Sequence, residues 1–180
     1  MSIQGIRSGS GEITRSGAFD TSRGTNGNFT DIVSGTRDAF TRTSRATDAD
    51  GNLVVSRTTQ VERAEDGSLS FHATIQGPDG QTVTRDGTLE KTDAGTYTAH
   101  GTLTGKEGAT FQFSSSIDVS EDDRTISTEI SGEQGVIADV SSNTVRDGDE
   151  LTRTTTVTDP NHRQKSKSST VHVTGLSIVA

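Results

Sequence analysis

The chain has 180 residues and a net charge of −8, and only 27% of its residues are hydrophobic. Thr occurs 30 times and Ser 22 times, whereas Cys and Trp are absent. The lack of cysteine excludes disulfide bridges and thiol chemistry. The acidic balance disfavours nucleic acid as a partner, because phosphate contacts need a basic face. No stretch reaches the roughly 18 apolar residues of a membrane-spanning helix, so we do not expect membrane insertion.

The first 47 residues are the least regular part of the sequence, with Gly, Ser, Thr, Asn and Arg dominating. Phe19, Phe29 and Phe40 stand alone in this polar background, and we interpret them as core residues. The segment is predicted either to join a sheet or to form an assembly arm. Its candidate strands are residues 3–7, 12–19, 28–33 and 39–46.

From residue 48 to residue 174, turn residues recur every 13 to 16 positions. The turns are centred near Gly51, Gly67, Gly80, Gly95, Gly108, Asp122, Gly135, Gly148 and Asn161. Such short connections suit hairpins, whereas parallel strands need long crossovers. The spacing therefore predicts an all-β fold, a long antiparallel meander of about a dozen strands.

Apolar and polar residues alternate along these segments, which places them on opposite faces of a strand. One face of the segment 69–76 carries Leu69, Phe71, Ala73 and Ile75, and the other carries Ser, His, Thr and Gln. The pattern predicts a sheet with one apolar face and one rich in Thr and Ser. Such a sheet buries its apolar face by curling on itself, by closing as a sandwich or by packing against neighbouring subunits.

Two segments break the alternation and carry apolar residues on both faces. Val54 lies between Leu53 and Val55, and Ile137 lies between Val136 and Ala138. A strand that is apolar on both faces is usually covered on both. We therefore predict self-assembly surfaces at Val54 and Ile137.

The two ends of the chain are the other candidates for self-assembly. Residues 175–180 are apolar after a polar strand and are interpreted as an edge strand or a secretion tail. Exposed edge strands pair readily with other chains. The predicted assembly residues at the two ends are Ile3, Ile6, Leu176, Ile178 and Val179.

No combination of residues indicates a catalytic site, and we expect that the protein is not an enzyme. The Ser residues show no nucleophile motif, and the four His have no helical metal-ligand spacing. His72 and His100 are both predicted on the Thr-rich face. Their proximity would allow a two-His metal site, but we favour the interpretation as two solvent-facing side chains.

One loop resembles the start of a calcium site. Asp48, Asp50 and Asn52 surround Gly51 with the oxygen ligands that Ca²⁺ prefers. An ordinary Asp-Gly hairpin turn has the same residues, and the turn at 147–149 offers a weaker version. We expect no other cofactor.

Rows of Thr-x-Thr, such as residues 152–158, are also typical of ice-binding surfaces. Charged residues interrupt the rows on neighbouring strands, among them Asp86, Glu90 and Asp118. Thr is in any case favoured on the solvated side of a strand. Ice binding therefore stays an alternative.

The sequence favours a structural role. A hydroxyl-rich, cysteine-free repeat sheet without catalytic residues suggests a subunit of a bacterial extracellular fibre, surface layer or biofilm matrix that assembles with identical subunits. The alternatives are a glycan- or surface-binding adhesin and a phage decoration or fibre protein. We expect an extracellular or cell-surface location reached without a classical signal peptide, by type I-like export, with the cytoplasm or a virion as alternatives.

Overall fold

A computed structural model describes residues 11–179, with side chains described up to residue 172. Twelve strands and one 3₁₀ turn, Lys106–Gly108, make up the described part, which contains no α-helix. The strands are β1 (Gly11–Thr21), β2 (Asn26–Gly35), β3 (Ala39–Asp48), β4 (Leu53–Arg63), β5 (Leu69–Gln76), β6 (Thr82–Asp93), β7 (Thr96–Thr104), β8 (Thr110–Val119), β9 (Asp123–Gly132), β10 (Gly135–Asp147), β11 (Glu150–Thr158) and β12 (Gln164–Val179).

The strands form a closed antiparallel meander barrel in which each strand pairs with its neighbours in sequence. β12 closes the barrel by pairing with β1, from Glu12 opposite Val179 to Thr21 opposite Ser169. The predicted all-β antiparallel meander is thus confirmed, and the sheet buries its apolar face by curling on itself. Since β1, β2 and β3 belong to the barrel, the irregular N-terminal segment joins the sheet from residue 11 onward.

Alternation along each strand separates an inner wall from an outer wall. All ten buried residues among those described lie at inward-facing positions, for example Ile13, Val33, Ala73 and Ala99. Thr and Ser dominate the outer wall, as on β11, where alternate residues from Thr152 to Thr158 face outward. The apolar and hydroxylated faces predicted from the sequence are therefore the inside and the outside of one barrel.

The two segments with broken alternation contain irregularities in strand pairing. The register shifts between Ala46 and Thr47, where Val54 is the extra residue of β4. It shifts again between Val136 and Ala138, so that Ile137 is the extra residue of β10. A β-bulge inserts one residue and inverts the alternation beyond it. The bulges account for the apolar residues on both faces without a covering partner.

The two ends of the barrel differ in packing. One end, which we call the mouth, is formed by the connections after β1, β3, β5, β7, β9 and β11. Three inward-facing valines near the mouth are exposed: Val55 (40%), Val83 (37%) and Val157 (40%). Near the opposite end, Ile13, Val33 and Val61 are buried. Water therefore reaches the interior at the mouth, whereas apolar side chains are buried near the other end, which we call the packed end.

Candidate functional site

Arginines occupy several inward-facing positions of the barrel. Arg42 lies opposite the buried Val33, and Arg85 lies opposite the buried Ala73. Thr144 lies between two more arginines on neighbouring strands. They include Arg15 on β1, Arg42 on β3, Arg57 on β4, Arg85 on β6, Arg124 on β9 and Arg153 on β11. The interior is thus strongly basic although the whole chain is acidic.

Asp31 on β2 is the one buried carboxylate among the described residues, with 5% of its surface exposed. Arg42 Nε donates to Asp31 Oδ1 at 2.7 Å, and Ser44 Oγ donates to the same oxygen at 2.7 Å. A charge-assisted hydrogen bond of this kind is stronger than a neutral one. Asp31 therefore neutralises Arg42, and Arg15 lies opposite Asp31 in the pairing of β1 with β2. Arg57, Arg85, Arg124 and Arg153 have no comparable acid among the described residues.

Arg85 is held by aromatic rings and a hydroxyl group. Its guanidinium carbon lies 3.8 Å from the ring centre of Phe113 and 5.5 Å from that of Phe71. Arg85 Nη2 also donates to Ser115 Oγ at 3.2 Å. A cation over an aromatic face is attracted by the ring electrons, so Arg85 has an evident structural role.

Three buried polar residues share one arrangement. Each bonds to a hydroxyl group on the next strand, 13 residues further along the chain, and each also contacts an arginine. Buried polar groups need such partners, because desolvation without one is costly. The pairs are Asp31 with Ser44, Ser115 with Thr128, and Ser142 with Thr155.

Arg57, Arg124 and Arg153 form what we call the arginine triad. Arg57 Nε donates to Thr59 Oγ1 at 3.0 Å, and Arg153 Nε donates to Ser142 Oγ at 2.7 Å. Arg124 Nε is buried and has no hydrogen-bond partner among the described atoms. No salt bridge to a described carboxylate involves the triad, and residues 1–10 and 173–180 contain no Asp or Glu in their sequence.

The triad spans the interior from one wall to the other. Partial desolvation inside the barrel lowers the pKa of Arg57, although the side chain still contacts water, and repulsion from Arg42, Arg153 and Arg124 lowers it further. Burial, followed by repulsion from Arg153 and Arg42, lowers the pKa of Arg124. Burial also lowers the pKa of Arg153. In the closed barrel, β9 and β11 lie across the interior from β4, so Arg57 faces Arg124 and Arg153 across it.

These arginines remain charged at neutral pH. Burial, with a contribution from repulsion by Arg57, lowers the pKa of Arg85 to about 10. Even this pKa leaves the group protonated near pH 7. Arg57 and Arg153 also stay exposed to water although they face inward. The triad is therefore a group of like charges inside the barrel, two of them in contact with water.

The predicted calcium loop is a hydrogen-bonded turn in the structure. Asp48 Oδ1 accepts from the backbone N–H groups of Asp50 at 3.0 Å and Asn52 at 2.8 Å. The Asn52 side chain donates to Asp48 Oδ2 at 3.1 Å. These bonds match the alternative interpretation of an Asp-Gly turn, and calcium binding there stays a prediction.

His72 and His100 both lie on the outer wall but bond to different partners on β6. His72 Nδ1 pairs with Asp86 Oδ1 at 2.5 Å, and His100 Nε2 lies 3.0 Å from Thr88 Oγ1. The strand β6 separates the two histidines. Among the described residues, no group of three His, Cys, Asp or Glu side chains could hold a metal ion.

The predicted self-assembly residues fall in three places. Val54 and Ile137 are the bulge residues of β4 and β10. Leu176, Ile178 and Val179 belong to β12, whose backbone there pairs with β1 inside the closed barrel. The remaining two, Ile3 and Ile6, lie outside the described residues.

The arginine positions were missed from the sequence although a signal was present. Arg153 shares its parity with Leu151 and Val157, and Arg85 shares its parity with Val83 and Leu89. A charged residue at a position reserved for apolar residues is a departure from the strand pattern. Several such departures on one face indicate a polar interior, and only barrel closure shows that the face is enclosed.

The fold and the site together define a class: a twelve-stranded antiparallel meander barrel whose arginine-lined interior opens to water at one end. Comparisons with protein-family models, with curated proteins and with solved structures found no match to this chain. Within residues 11–179, no helix is long and apolar enough to cross a membrane.

Proposed function

We propose that this protein is a non-enzymatic binding protein that holds a small anion inside its barrel. The observation that supports the proposal is the arginine triad, Arg57, Arg124 and Arg153, which has no described carboxylate partner. Guanidinium groups bind carboxylates and phosphates through paired hydrogen bonds. An anion at the triad would supply the charge that the interior lacks.

The size of the barrel favours a ligand in the interior. An eight-stranded barrel is just filled by its own side chains, whereas barrels of about 16 strands enclose a water-filled channel. With twelve strands, this barrel lies between the two cases. The exposure of Arg57 and Arg153 agrees with space for water or a small molecule next to the triad.

The anion should bind to the triad rather than to Arg42 or Arg85. Arg42 already pairs with Asp31, and Arg85 is engaged by Phe113 and Ser115. A ligand there would have to displace a protein partner. At the triad it would replace water and relieve repulsion between like charges.

Calorimetric titration and thermal unfolding with different anions at constant ionic strength test this proposal. A ligand that binds only the folded state raises the midpoint of unfolding with its concentration. We expect at least one carboxylate or phosphate compound to do so. The double variant Arg57→Gln/Arg153→Gln should abolish the effect, whereas Arg45→Gln on the outer wall of β3 should preserve it. Equal responses from both variants would refute binding at the triad.

We keep the structural role suggested by the sequence as a second proposal. The observation in its favour is the exposure of Val136 (44%) and Val145 (45%), two apolar residues on the outer wall of β10. Both edges of every described strand are already paired within the barrel. Assembly would therefore use side-chain surfaces. Size-exclusion chromatography over a concentration series, with Val145→Thr as the variant, tests it.

A further inference from the structure

The inner wall changes in chemistry between the mouth and the packed end. Three strands show the same order of inward-facing residues: an exposed valine at the mouth, an arginine at mid-depth and an apolar residue at the packed end. The sets are Val55, Arg57 and Val61 on β4, Val83, Arg85 and Leu89 on β6, and Val157, Arg153 and Leu151 on β11. The charged layer therefore lies below an apolar, water-exposed layer.

Neighbouring strands extend the apolar layer. Ile75 pairs with Val83, and Val140 pairs with Val157, all at inward-facing positions. Exposed apolar surface of this kind is stabilised when a ligand covers it. A ligand that bound only to the triad arginines would leave these apolar side chains exposed to water.

We propose that the ligand is a single-chain amphiphile with an anionic head group. The head group binds to the arginine triad, and the hydrocarbon chain extends toward the mouth along Val55, Val83 and Val157. This inference rests on the proposed function and adds the class of ligand and its orientation. The head group is a carboxylate, sulfate or phosphate, since all three match the guanidinium fork.

Two lysines at the mouth support this choice of ligand charge. Lys165 lies opposite Val157, and Lys167 lies opposite Thr155, so both occupy inward-facing positions of β12. Both are exposed to water. Positive charges that lead into a cleft attract anions and speed their association. The mouth therefore combines basic charge with apolar surface.

The first experiment compares ligands that differ in one property each. Decanoate and decyl phosphate carry both the hydrocarbon chain and the negative charge. Acetate and inorganic phosphate lack the chain, and decanol lacks the charge. Decyltrimethylammonium has the chain but carries a positive charge. Calorimetry is done below the concentration at which micelles form. We expect decanoate or decyl phosphate to bind at least tenfold more tightly than any control. Each pair of added methylene groups should raise affinity by about tenfold until the chain leaves the mouth.

The second experiment separates the two parts of the site. The triple variant Val55→Thr/Val83→Thr/Val157→Thr keeps side-chain size but makes the mouth polar, and circular dichroism checks its fold. It should weaken decanoate binding at least tenfold and leave the binding of acetate or phosphate unchanged. Arg57→Gln/Arg153→Gln should weaken both.

The outcomes distinguish this inference from the function on which it rests. Anion binding that is independent of chain length would refute the amphiphile and preserve the anion-binding function. Absence of all anion binding would refute both. A dimer that dissociates only in the valine variant would show that a second copy covers the mouth, and it would also overturn the inference.

Discussion

Arg42 and Asp31 form an ion pair inside the barrel, with 2.7 Å between Arg42 Nε and Asp31 Oδ1. Asp31 is 5% exposed, and its second oxygen, Oδ2, is buried without a partner among the described atoms. The one buried carboxylate of the described residues is thus paired with Arg42, whereas most of the other interior arginines have no acid beside them. This imbalance of charge is the central property of the interior.

We expect Asp31→Asn to destabilise the protein by about 3 kcal/mol, because it leaves Arg42 charged in a basic interior without a counterion. The free energy of unfolding in urea measures the effect. The matched control is Asp86→Asn, which breaks an exposed pair with His72 on the outer wall. Exposed pairs contribute at most about 1 kcal/mol. Similar losses in the two variants would contradict the importance of the interior pair.

The variant Arg57→Gln should have the opposite effect. Arg57 is repelled by Arg42, Arg153 and Arg124, so removing its charge should stabilise the ligand-free protein by up to about 1 kcal/mol at low salt. Urea unfolding at increasing salt checks the cause, since screening should remove the difference. Arg45→Gln on the outer wall should change stability little. A salt-independent gain for Arg57→Gln would point to packing instead of charge.

We expect Gly87→Ala to destabilise the barrel by about 2 kcal/mol, as crowding in a packed interior does. A Cβ atom at Gly87 would overlap the backbone oxygen of His100 and lie 3.0 Å from Phe113 Cζ. Displacement of Phe113 would also disturb Arg85, which lies over its ring. Thermal unfolding measures the loss. The control is Gly132→Ala, whose new atom would have ordinary contacts of 3.5 Å or more.

The turn after β11 should contribute a stability that depends on pH. The pKa of Asp159 is lowered from its usual value of 3.8, mainly because the carboxylate accepts a hydrogen bond from the backbone N–H of Arg163. A carboxyl group with a lower pKa in the folded state stabilises the fold above the unfolded value, and this contribution disappears as pH falls through the folded value. The stability difference between wild type and Asp159→Ala should therefore exist above about pH 4 and shrink below it. A difference that grows with acid would contradict this assignment, and Asp50→Ala provides a comparison in another turn.

Several parts of the fold were predictable because they depend on local patterns. Turns near Gly51 and Gly80 were expected from composition, and both glycines have positive φ angles, of 85° and 76°. The alternation of residues 69–76 correctly separated Phe71 and Ala73 inside from His72 outside. Local spacing could not show that Val54 and Ile137 are bulge residues, because a bulge is defined by the partner strand.

The candidate site depended on contacts between residues far apart in sequence. Six strands lie between Arg57 and Arg153 in the sequence, and the two arginines repel each other across the interior because the barrel closes. The net charge of −8 was also misleading, since it sums an acidic exterior and a basic interior. A local sequence pattern shows neither how charges divide between the inside and the outside nor which residues face each other across a barrel.

The sequence by itself determined the class of structure, the strands, the turns and the two chemically distinct faces, because hydrophobic alternation and turn preferences act over a few residues. Only the tertiary structure decided that the apolar face is the inside of a closed barrel, that β12 pairs with β1, and that the arginine triad faces one interior. The physical reason is that closure and charge proximity depend on hydrogen bonds and packing between strands at opposite ends of the chain.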